Sequence, residues 1–192
     1  PSYEELKKDK LNYARSFMYN TVIQIHFQGN DLWNLIRIIC MRAESSGEAL
    51  SQPEMDRVYS FPYMRTYHPS YEAAGGVPAI EEVKYSLISN RGCFGGCNFC
   101  ALTFHQGRII QESHESLLAE ANQFIWDKDF KGYIHDVGGP TANFRAPSCE
   151  KQLQYGVCKE KAVSFPKTVP KFERDHKDYL KLLRKLRELP NV

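Results

Sequence analysis

Three long segments of the chain carry apolar residues at helical spacing, separated by polar residues. Residues 2–18 begin with Ser2, which can cap a helix, and a second segment follows Ser113, which can cap one in the same way. In the third, residues 175–189, leucines share one face and lysines and arginines the other, as in an amphipathic helix with a solvated basic face. A shorter helix is predicted over residues 52–59.

Strand signals lie between these helices. Residues 83–89 and 131–137 predict two strands, and each runs directly into a glycine-containing turn. Residues 21–27 are rich in residues that favour strands, whereas residues 32–41 fit either a helix or a strand. The proline, tyrosine and glycine residues of the segment 61–78 are typical of an irregular connector.

The order of elements from residue 83 onward predicts the fold class. Strand, helix, strand, long loop and helix follow one another, which is the order of an α/β fold with a parallel sheet or a (β/α) barrel. The segment has room for two such βα units. With 192 residues, the chain is long enough for one domain, or for one domain with an appendage.

Composition supports a folded chain and leaves its binding partners open. Hydrophobic residues make up 42% of the chain and aromatic residues 12%, which is enough to bury a core and excludes global disorder. The 25 Lys and Arg residues nearly balance the 23 Asp and Glu residues, for a net charge of +2. This balance neither indicates nor excludes nucleic-acid binding.

Targeting signals are not evident in the sequence. The most apolar stretch, residues 32–41, contains Asn34 and Arg37 and is far shorter than the roughly 20 apolar residues that a membrane span needs. The first eight residues carry charges where a signal peptide would be apolar. We therefore expect no membrane partner and a cytoplasmic, reducing compartment, in which cysteines are thiols or metal ligands rather than disulfides.

Three of the six cysteines form a cluster. Cys93, Cys97 and Cys100 have the spacing C-x3-C-x2-C, and the glycines among them let backbone amides approach anionic sulfur. A [4Fe-4S] cluster has four irons, so three cysteine ligands leave one iron open to another ligand. This spacing predicts such a cluster.

Other interpretations of the three cysteines remain open. A structural zinc site can use them with His105 as a fourth ligand, in which case the chain is a zinc module that binds nucleic acid or protein. A disulfide pair and a chance grouping of buried thiols are further alternatives.

The segment 91–100, RGCFGGCNFC, resembles the signature of radical S-adenosylmethionine (SAM) enzymes, including the aromatic residue before the last cysteine. The match extends through residues 101–111 and 133–144 and, upstream, residues 71–82. Together these segments resemble the YgiQ-type radical SAM proteins, a family without an assigned substrate. The resemblance covers residues 1–17 loosely and residues 51–192 well.

This resemblance implies a partial (β/α) barrel that contains only the first βα units, with the cluster in the loop after the first strand. The implied activity is that of a radical SAM enzyme, in which Cys93, Cys97 and Cys100 hold a [4Fe-4S] cluster. The reduced cluster cleaves SAM to methionine and a 5′-deoxyadenosyl radical, which abstracts a hydrogen atom from an unknown substrate. A reductant such as flavodoxin or ferredoxin is implied as a partner.

The resemblance also implies residues that bind SAM. Gly138 and Gly139 would receive its methionyl end through backbone groups, and Phe99 would lie beside it. Two glycines also allow a backbone edge to approach a ligand closely, although an ordinary turn after a strand has the same composition. Pro140 stands where many radical SAM enzymes outside this subgroup carry Glu, so the SAM amino group lacks that carboxylate here.

Polar residues near the two strand ends are further candidates. His105, Gln106 and Arg108 follow the cysteines and face either the ligand or the surface. His135 and Asp136 are neighbours on the second strand, so only one of them is expected to point into a barrel.

We predict two regions in the chain. Residues 1–82 form a helical and irregular N-terminal extension, in which residues 19–50 do not resemble the family, and residues 83–192 form the start of the radical SAM core. Cys149 and Cys158 resemble the start of a second cysteine group, but no cysteine follows them, so we interpret them as thiols without a second cluster.

The two predicted βα units are fewer than a radical SAM barrel contains, so we expect the chain to be part of a longer parent protein. The rest of that parent would then supply the substrate site. On its own, the fragment is expected to be a poor enzyme, with the helix face of Tyr179, Leu182, Leu183 and Leu186 incompletely covered.

Overall fold

A computed structural model describes residues 2–24, 32–36, 39–43, 49–94, 99–102, 108–139, 145, 149–155 and 175–192. Contacts divide the chain into two compact units. We call residues 1–49, 92–109 and 147–173 the cysteine unit, because Cys93, Cys100 and Cys149 belong to it. Residues 50–91, 110–146 and 174–192 form the second unit, which we call the sheet unit.

The described part of the cysteine unit contains helices and a β-hairpin. Helix α1 begins after Ser2, whose backbone N–H donates to the Glu5 carboxylate while its hydroxyl accepts from the Glu5 N–H, a capping box. The two strands of the hairpin pair antiparallel. The elements are α1 (Tyr3–Lys8), α2 (Lys10–Gln24), β1 (Leu32–Ile36), β2 (Ile39–Ala43) and, after the sheet unit's strands, α6 (Glu150–Tyr155).

The described part of the sheet unit contains short strands and the helices that cover them. The elements are α3 (Gln52–Tyr59), a 3-10 helix (Pro69–Ala74), α4 (Ile80–Val83), β3 (Ser86–Ile88), β4 (Asn90–Arg91), β5 (Ile110–Gln111), α5 (His114–Phe124), β6 (Asp136–Gly138) and α7 (Lys177–Arg187). Helix α3 has the predicted bounds, and α5 begins after Ser113, whose hydroxyl accepts from the Ser116 N–H at 3.0 Å.

Strands β3 and β6 form a parallel pair, with α5 between them in the chain. The register pairs Ser86 with Asp136, Leu87 with Val137 and Ile88 with Gly138. Helices α5 and α7 bury their apolar faces with this pair, which confirms the βαβα order in the sequence and the mixed α/β class. The core residues are Tyr85, Leu87, Leu117, Ala121, Phe124, Ile125, Leu182 and Leu186.

Several sequence expectations for individual elements are wrong. The predicted strands 83–89 and 131–137 are replaced by the shorter β3 and β6, because Ile80–Val83 is a helical turn and residues 131–134 precede the first backbone hydrogen bond of the pair, from the His135 N–H to the Tyr85 carbonyl. Residues 21–24 continue helix α2, since strand preference is a weak signal that a growing helix overrides. The ambiguous segment 32–41 contains parts of both hairpin strands.

The expectation that α7 leaves its apolar face incompletely covered is also wrong for two residues. Leu182 and Leu186 are buried in the core, and the exposed leucine of this helix is Leu180. Tyr179 and Leu183 are half-buried. Within the described ranges, no helix is long and apolar enough to cross a membrane.

Candidate metal centre

The loop that carries the three cysteines has its two ends joined. Strands β4 and β5 pair antiparallel, with Asn90 opposite Gln111 and Arg91 opposite Ile110. Just outside this pair, the Glu112 N–H donates to the Ser89 carbonyl at 3.1 Å. We call residues 92–109 the cysteine loop. Its two ends are held together by the paired strands β4 and β5.

Within the cysteine loop, the structure describes residues 92–94, 99–102 and 108–109. Gly92 is buried and has φ +83°, a left-handed conformation that favours glycine, directly before the first cysteine. Cys93 and Cys100 are partly buried, and Phe99 is 92% exposed, so its ring is accessible to a ligand. Cys97 lies outside the described residues, as do His105 and Gln106.

The structure therefore leaves the three-cysteine ligand set as a prediction. Among the residues it describes, no group of three His, Cys, Asp or Glu side chains is placed to hold a metal ion. This result does not test the predicted set, because Cys97 is one of its three members. Cys149 is partly buried, and Cys158 lies outside the described residues, so the interpretation of both as thiols without a second cluster stays a prediction.

Helix α3 anchors the start of the cysteine loop. The Arg91 guanidinium donates to the Tyr59 hydroxyl at 3.0 Å and lies 5.9 Å from the centre of the Tyr59 ring. Burial raises the pKa of Tyr59, and the positive charge of Arg91 opposes that rise. The residue immediately before Gly92 is therefore fixed by a side-chain contact as well as by strand pairing.

At the end of β6, the chain passes very close to Asn90. A Cβ atom on Gly139 would lie 2.5 Å from Asn90 Nδ2 and 2.8 Å from its Cγ, too close for any side chain. Asn90 is fully buried, and its Nδ2 has no hydrogen-bond partner in the part of the chain that the structure describes. Its Oδ1 accepts from the Ser89 hydroxyl at 3.2 Å. Gly138 is buried within β6, and Pro140 lies outside the described residues.

The two polar neighbours on the second strand are both exposed. His135 Nδ1 lies 3.4 Å from the Glu82 carbonyl, and its ring meets the Tyr85 ring edge-on. Asp136, the first residue of β6, is also exposed. Neither side chain is therefore buried in the core beneath the strands.

Sequence reasoning missed a buried polar network beside the base of the cysteine loop. Arg145 is 3% exposed, and its guanidinium contacts the carbonyls of Ser89 and Glu112 and the carboxylate of Asp178. Burial raises the pKa of the Glu112 carboxyl to about 7, against the opposing hydrogen bond from Ser116. A sequence signal for this network exists only in part: Ser89, Asn90 and Glu112 are polar residues beside strands that are otherwise apolar.

Each of the two units, taken by itself, has residues whose chemistry suits one of the predicted ligands. Two partly buried thiols lie on a loop with joined ends and a left-handed glycine. In the sheet unit, at the end of β6, the backbone of Gly139 lies beside the buried NH₂ group of Asn90, which has no hydrogen-bond partner among the described residues. Thiolates are the usual protein ligands of iron–sulfur clusters, and glycine backbone suits close approach by a ligand.

Comparison with known proteins shows which proteins the chain is similar to. A family model described as "Radical SAM N-terminal" matches residues 1–86. A UPF0313 protein of Clostridium botulinum (strain Okra / Type B1) is 52% identical over 193 residues, which covers 100% of this chain. One from Clostridium perfringens (strain 13 / Type A) is 48% identical over 196 residues, again with 100% of this chain covered. These matches confirm the resemblance to the YgiQ-type family, whose curated relatives here are named UPF0313 proteins.

The chain spans about 30% of the length of those relatives, 30% for the first and 29% for the second. The family model and both relatives extend across residues 19–50, the segment in which the sequence showed no resemblance to the family. No solved structure matches the chain.

Proposed function

We propose that the chain is the cofactor-binding start of a radical SAM enzyme. The observation that carries the proposal is the C-x3-C-x2-C motif on a loop whose ends are joined by β4 and β5 directly after a parallel strand. The resemblance to the YgiQ-type family supports it. The proposed fold is the first part of a (β/α) barrel, in which β3 and β6 are the first two strands.

Cys93, Cys97 and Cys100 would hold a [4Fe-4S] cluster as thiolates, and one iron would stay open for the amino and carboxylate groups of SAM. A bound cluster supplies the electron that cleaves the SAM sulfonium to methionine and a 5′-deoxyadenosyl radical. The chain supplies the thiolates, the joined loop ends that hold them together and the anchored Arg91. Orientation of the ligand is thus the protein's own contribution.

Gly138 and Gly139 would bind the methionyl end of SAM through backbone groups, because side chains at these positions would block the approach. At Gly139, the space that a Cβ atom would occupy is already filled by the Asn90 side chain. Phe99, with its exposed ring, would contact the ligand from the cysteine loop. Pro140 supplies no carboxylate, so the SAM amino group would be held by iron and by backbone carbonyls.

The rest of a longer parent chain is the proposed structural partner. A groove of about 640 Å³ lies between β6 and α7, lined mainly by apolar residues that include Tyr133, Ile134, Val137 and Leu183. In a right-handed βαβ succession, a strand that follows α7 would lie next to β6 and cover this groove. The substrate is unknown and would be bound by that further part. A reductant such as flavodoxin or ferredoxin and a cytoplasmic location complete the proposal.

The test is the formation of 5′-deoxyadenosine from SAM by the full-length parent under anaerobic conditions with dithionite. We expect product from the wild-type protein and at least about a hundredfold less from Cys97→Ala, because loss of one thiolate removes a cluster ligand. The matched control is Cys149→Ala, which should retain wild-type product formation. A parent that contains an intact cluster but forms no product would overturn the proposed reaction. Tightly bound zinc without iron uptake would instead support the structural zinc module.

A further inference from the structure

A buried guanidinium lies beside the base of the cysteine loop. Arg145 is 3% exposed, and it follows the glycine-containing turn after β6. Burying a charge of this kind is costly unless the charge is paired and its N–H groups find acceptors. Both conditions are met here, because each of the three guanidinium nitrogens has an acceptor.

Two of those acceptors are the backbone carbonyls that flank the paired strands β4 and β5. Arg145 Nη1 donates to the Ser89 carbonyl at 3.3 Å, and Nη2 donates to the Glu112 carbonyl at 2.5 Å. Ser89 comes directly before β4, and Glu112 comes directly after β5. One side chain therefore connects the chain entering the cysteine loop to the chain leaving it. The fork of the guanidinium suits this double contact, which a lysine ammonium would not reproduce.

The third acceptor fixes the guanidinium from helix α7. Arg145 Nε donates to Asp178 Oδ2 at 2.6 Å, and Asp178 Oδ1 lies 3.0 Å from His114 Nε2. Burial opposes ionisation of Asp178, but the hydrogen bond from Arg145 and the proximity of His114 outweigh it and lower the pKa of this carboxyl. A carboxylate in the first turn of a helix is further favoured by the helix dipole. Asp178 thereby neutralises and orients the arginine.

We propose that Arg145 is a positioning residue for the cysteine loop: it holds Ser89 and Glu112 at a fixed separation, so that the loop presents its thiolates in one arrangement. This inference rests on the proposed function in one respect, namely that the arranged thiolates bind an iron–sulfur cluster. Packing in the core does not by itself require an arginine at this position, because an apolar side chain would fill the same volume. Such a side chain would form no hydrogen bonds to the two backbone carbonyls.

The test compares Arg145→Met with Arg65→Met in the full-length parent. Arg65 is a matched control: it also forms an ion pair in the sheet unit, with Glu120 at 2.9 Å, but it contacts α5 rather than the loop base. The first readout is amide hydrogen exchange at residues 90–91 and 110–112 in the protein without iron. We expect about tenfold faster exchange there in Arg145→Met, the effect of losing hydrogen bonds to a charged group, and no change there in Arg65→Met.

The second readout is iron retained per chain after anaerobic reconstitution and gel filtration. Arg145→Met should retain less than half of the wild-type iron, and Arg65→Met should retain all of it. Arg145→Lys, which keeps the charge but not the fork, should fall between wild type and Arg145→Met, and it decides the question if Arg145→Met does not fold.

The proposal is overturned if Arg145→Met and Arg145→Lys keep wild-type exchange at the loop base and wild-type iron. It is also overturned if Arg65→Met loses iron to the same extent, because the effect would then be one of general stability. Failure of the proposed function looks different: the wild-type parent itself would take up no iron. The exchange measurement would still show whether Arg145 holds the ends of the loop.

Discussion

The side chain of Asn90 lies against the α-carbon of Gly139, so closely that a Cβ atom there would be 2.5 Å from Nδ2. This contact joins the strand that enters the cysteine loop to the turn that ends β6. It explains why position 139 requires glycine on steric grounds alone, whatever ligand binds there. Asn90 is itself fully buried, so it has no room to move aside.

Gly139→Ala should therefore destabilise the protein by about 1–3 kcal/mol, the usual cost of overpacking a filled site. Denaturant unfolding of the parent protein measures this change. The control is Gly138→Ala, where the nearest atom to the added Cβ is Asp136 Oδ1 at an ordinary 3.6 Å. In an Asn90→Ser background the cost of Gly139→Ala should shrink, because the shorter side chain leaves space. An unchanged cost in that background would mean that the Asn90 contact is not the cause.

Glu112 should make stability depend on pH. Its carboxyl is buried with Oε2 unpartnered among the described residues, near the carboxylates of Asp56 and Glu120, and its pKa rises from 4.5 to about 7. A folded-state pKa above the unfolded value means that the contribution to stability is full below pH 4.5 and is lost as pH rises to about 7.

Glu112→Gln should thus be more stable than wild type at pH 8, by about 1–2 kcal/mol after allowance for screening, and should lose that advantage at pH 4. Denaturant unfolding at the two pH values measures the difference. Glu115→Gln, at an exposed position on the following helix α5, is the control and should give no comparable advantage at pH 8. A stability difference between wild type and the Glu112→Gln variant that is the same at both pH values would contradict a raised pKa.

The core of the sheet unit should depend on Leu182 and not on its neighbour Leu180. Leu182 is 0% exposed and packs in the core, whereas Leu180 is 51% exposed on the same helix. Leu182→Ala should cost about 2–5 kcal/mol of unfolding free energy, and Leu180→Ala less than about 0.5 kcal/mol. Similar losses for the two variants would show that α7 packs differently.

The 192-residue chain by itself should associate and cleave SAM poorly. Strand β6 pairs on one side with β3, and among the described strands no partner lies on its other side. The apolar groove next to it is open, and open edges and apolar surfaces favour association. Light scattering after gel filtration and SAM cleavage relative to the parent are the measurements. A monomer that turns over as fast as the full-length parent would contradict the proposal of a partial barrel.

Local signals in the sequence predicted the elements best. Helix α3 and the start of α5 at Ser113 follow from capping residues and apolar spacing, which act over one or two turns. The cysteine spacing is also a local signal, and it predicts that this loop binds a metal cluster. The contacts of Arg145 with Asp178 and Glu112 each join residues 33 positions apart, and no periodicity encodes such a pairing. The contact between Asn90 and Gly139 could not be predicted for the same reason, since it depends on where β6 ends.

The strand boundaries were the weakest expectation. Alternation from Val83 to Ser89 is genuine, but the chain enters the ladder only at Ser86 because the preceding residues complete a helical turn. Ser89 and Asn90 follow β3 with polar side chains that hydrogen-bond to each other, and the Ser89 carbonyl accepts from Arg145. Hydrophobic pattern alone does not separate a strand from the segment that leads into it.

The central claim is that Cys93, Cys97 and Cys100 together bind one [4Fe-4S] cluster, and anaerobic reconstitution of the parent protein with iron and sulfide tests it most directly. We expect about four irons per chain and a broad visible absorbance, both lost in Cys93→Ala, Cys97→Ala and Cys100→Ala and both retained in Cys149→Ala. Iron uptake that survives alanine at any of the three positions, or a wild-type protein that binds zinc and no iron, would contradict the claim.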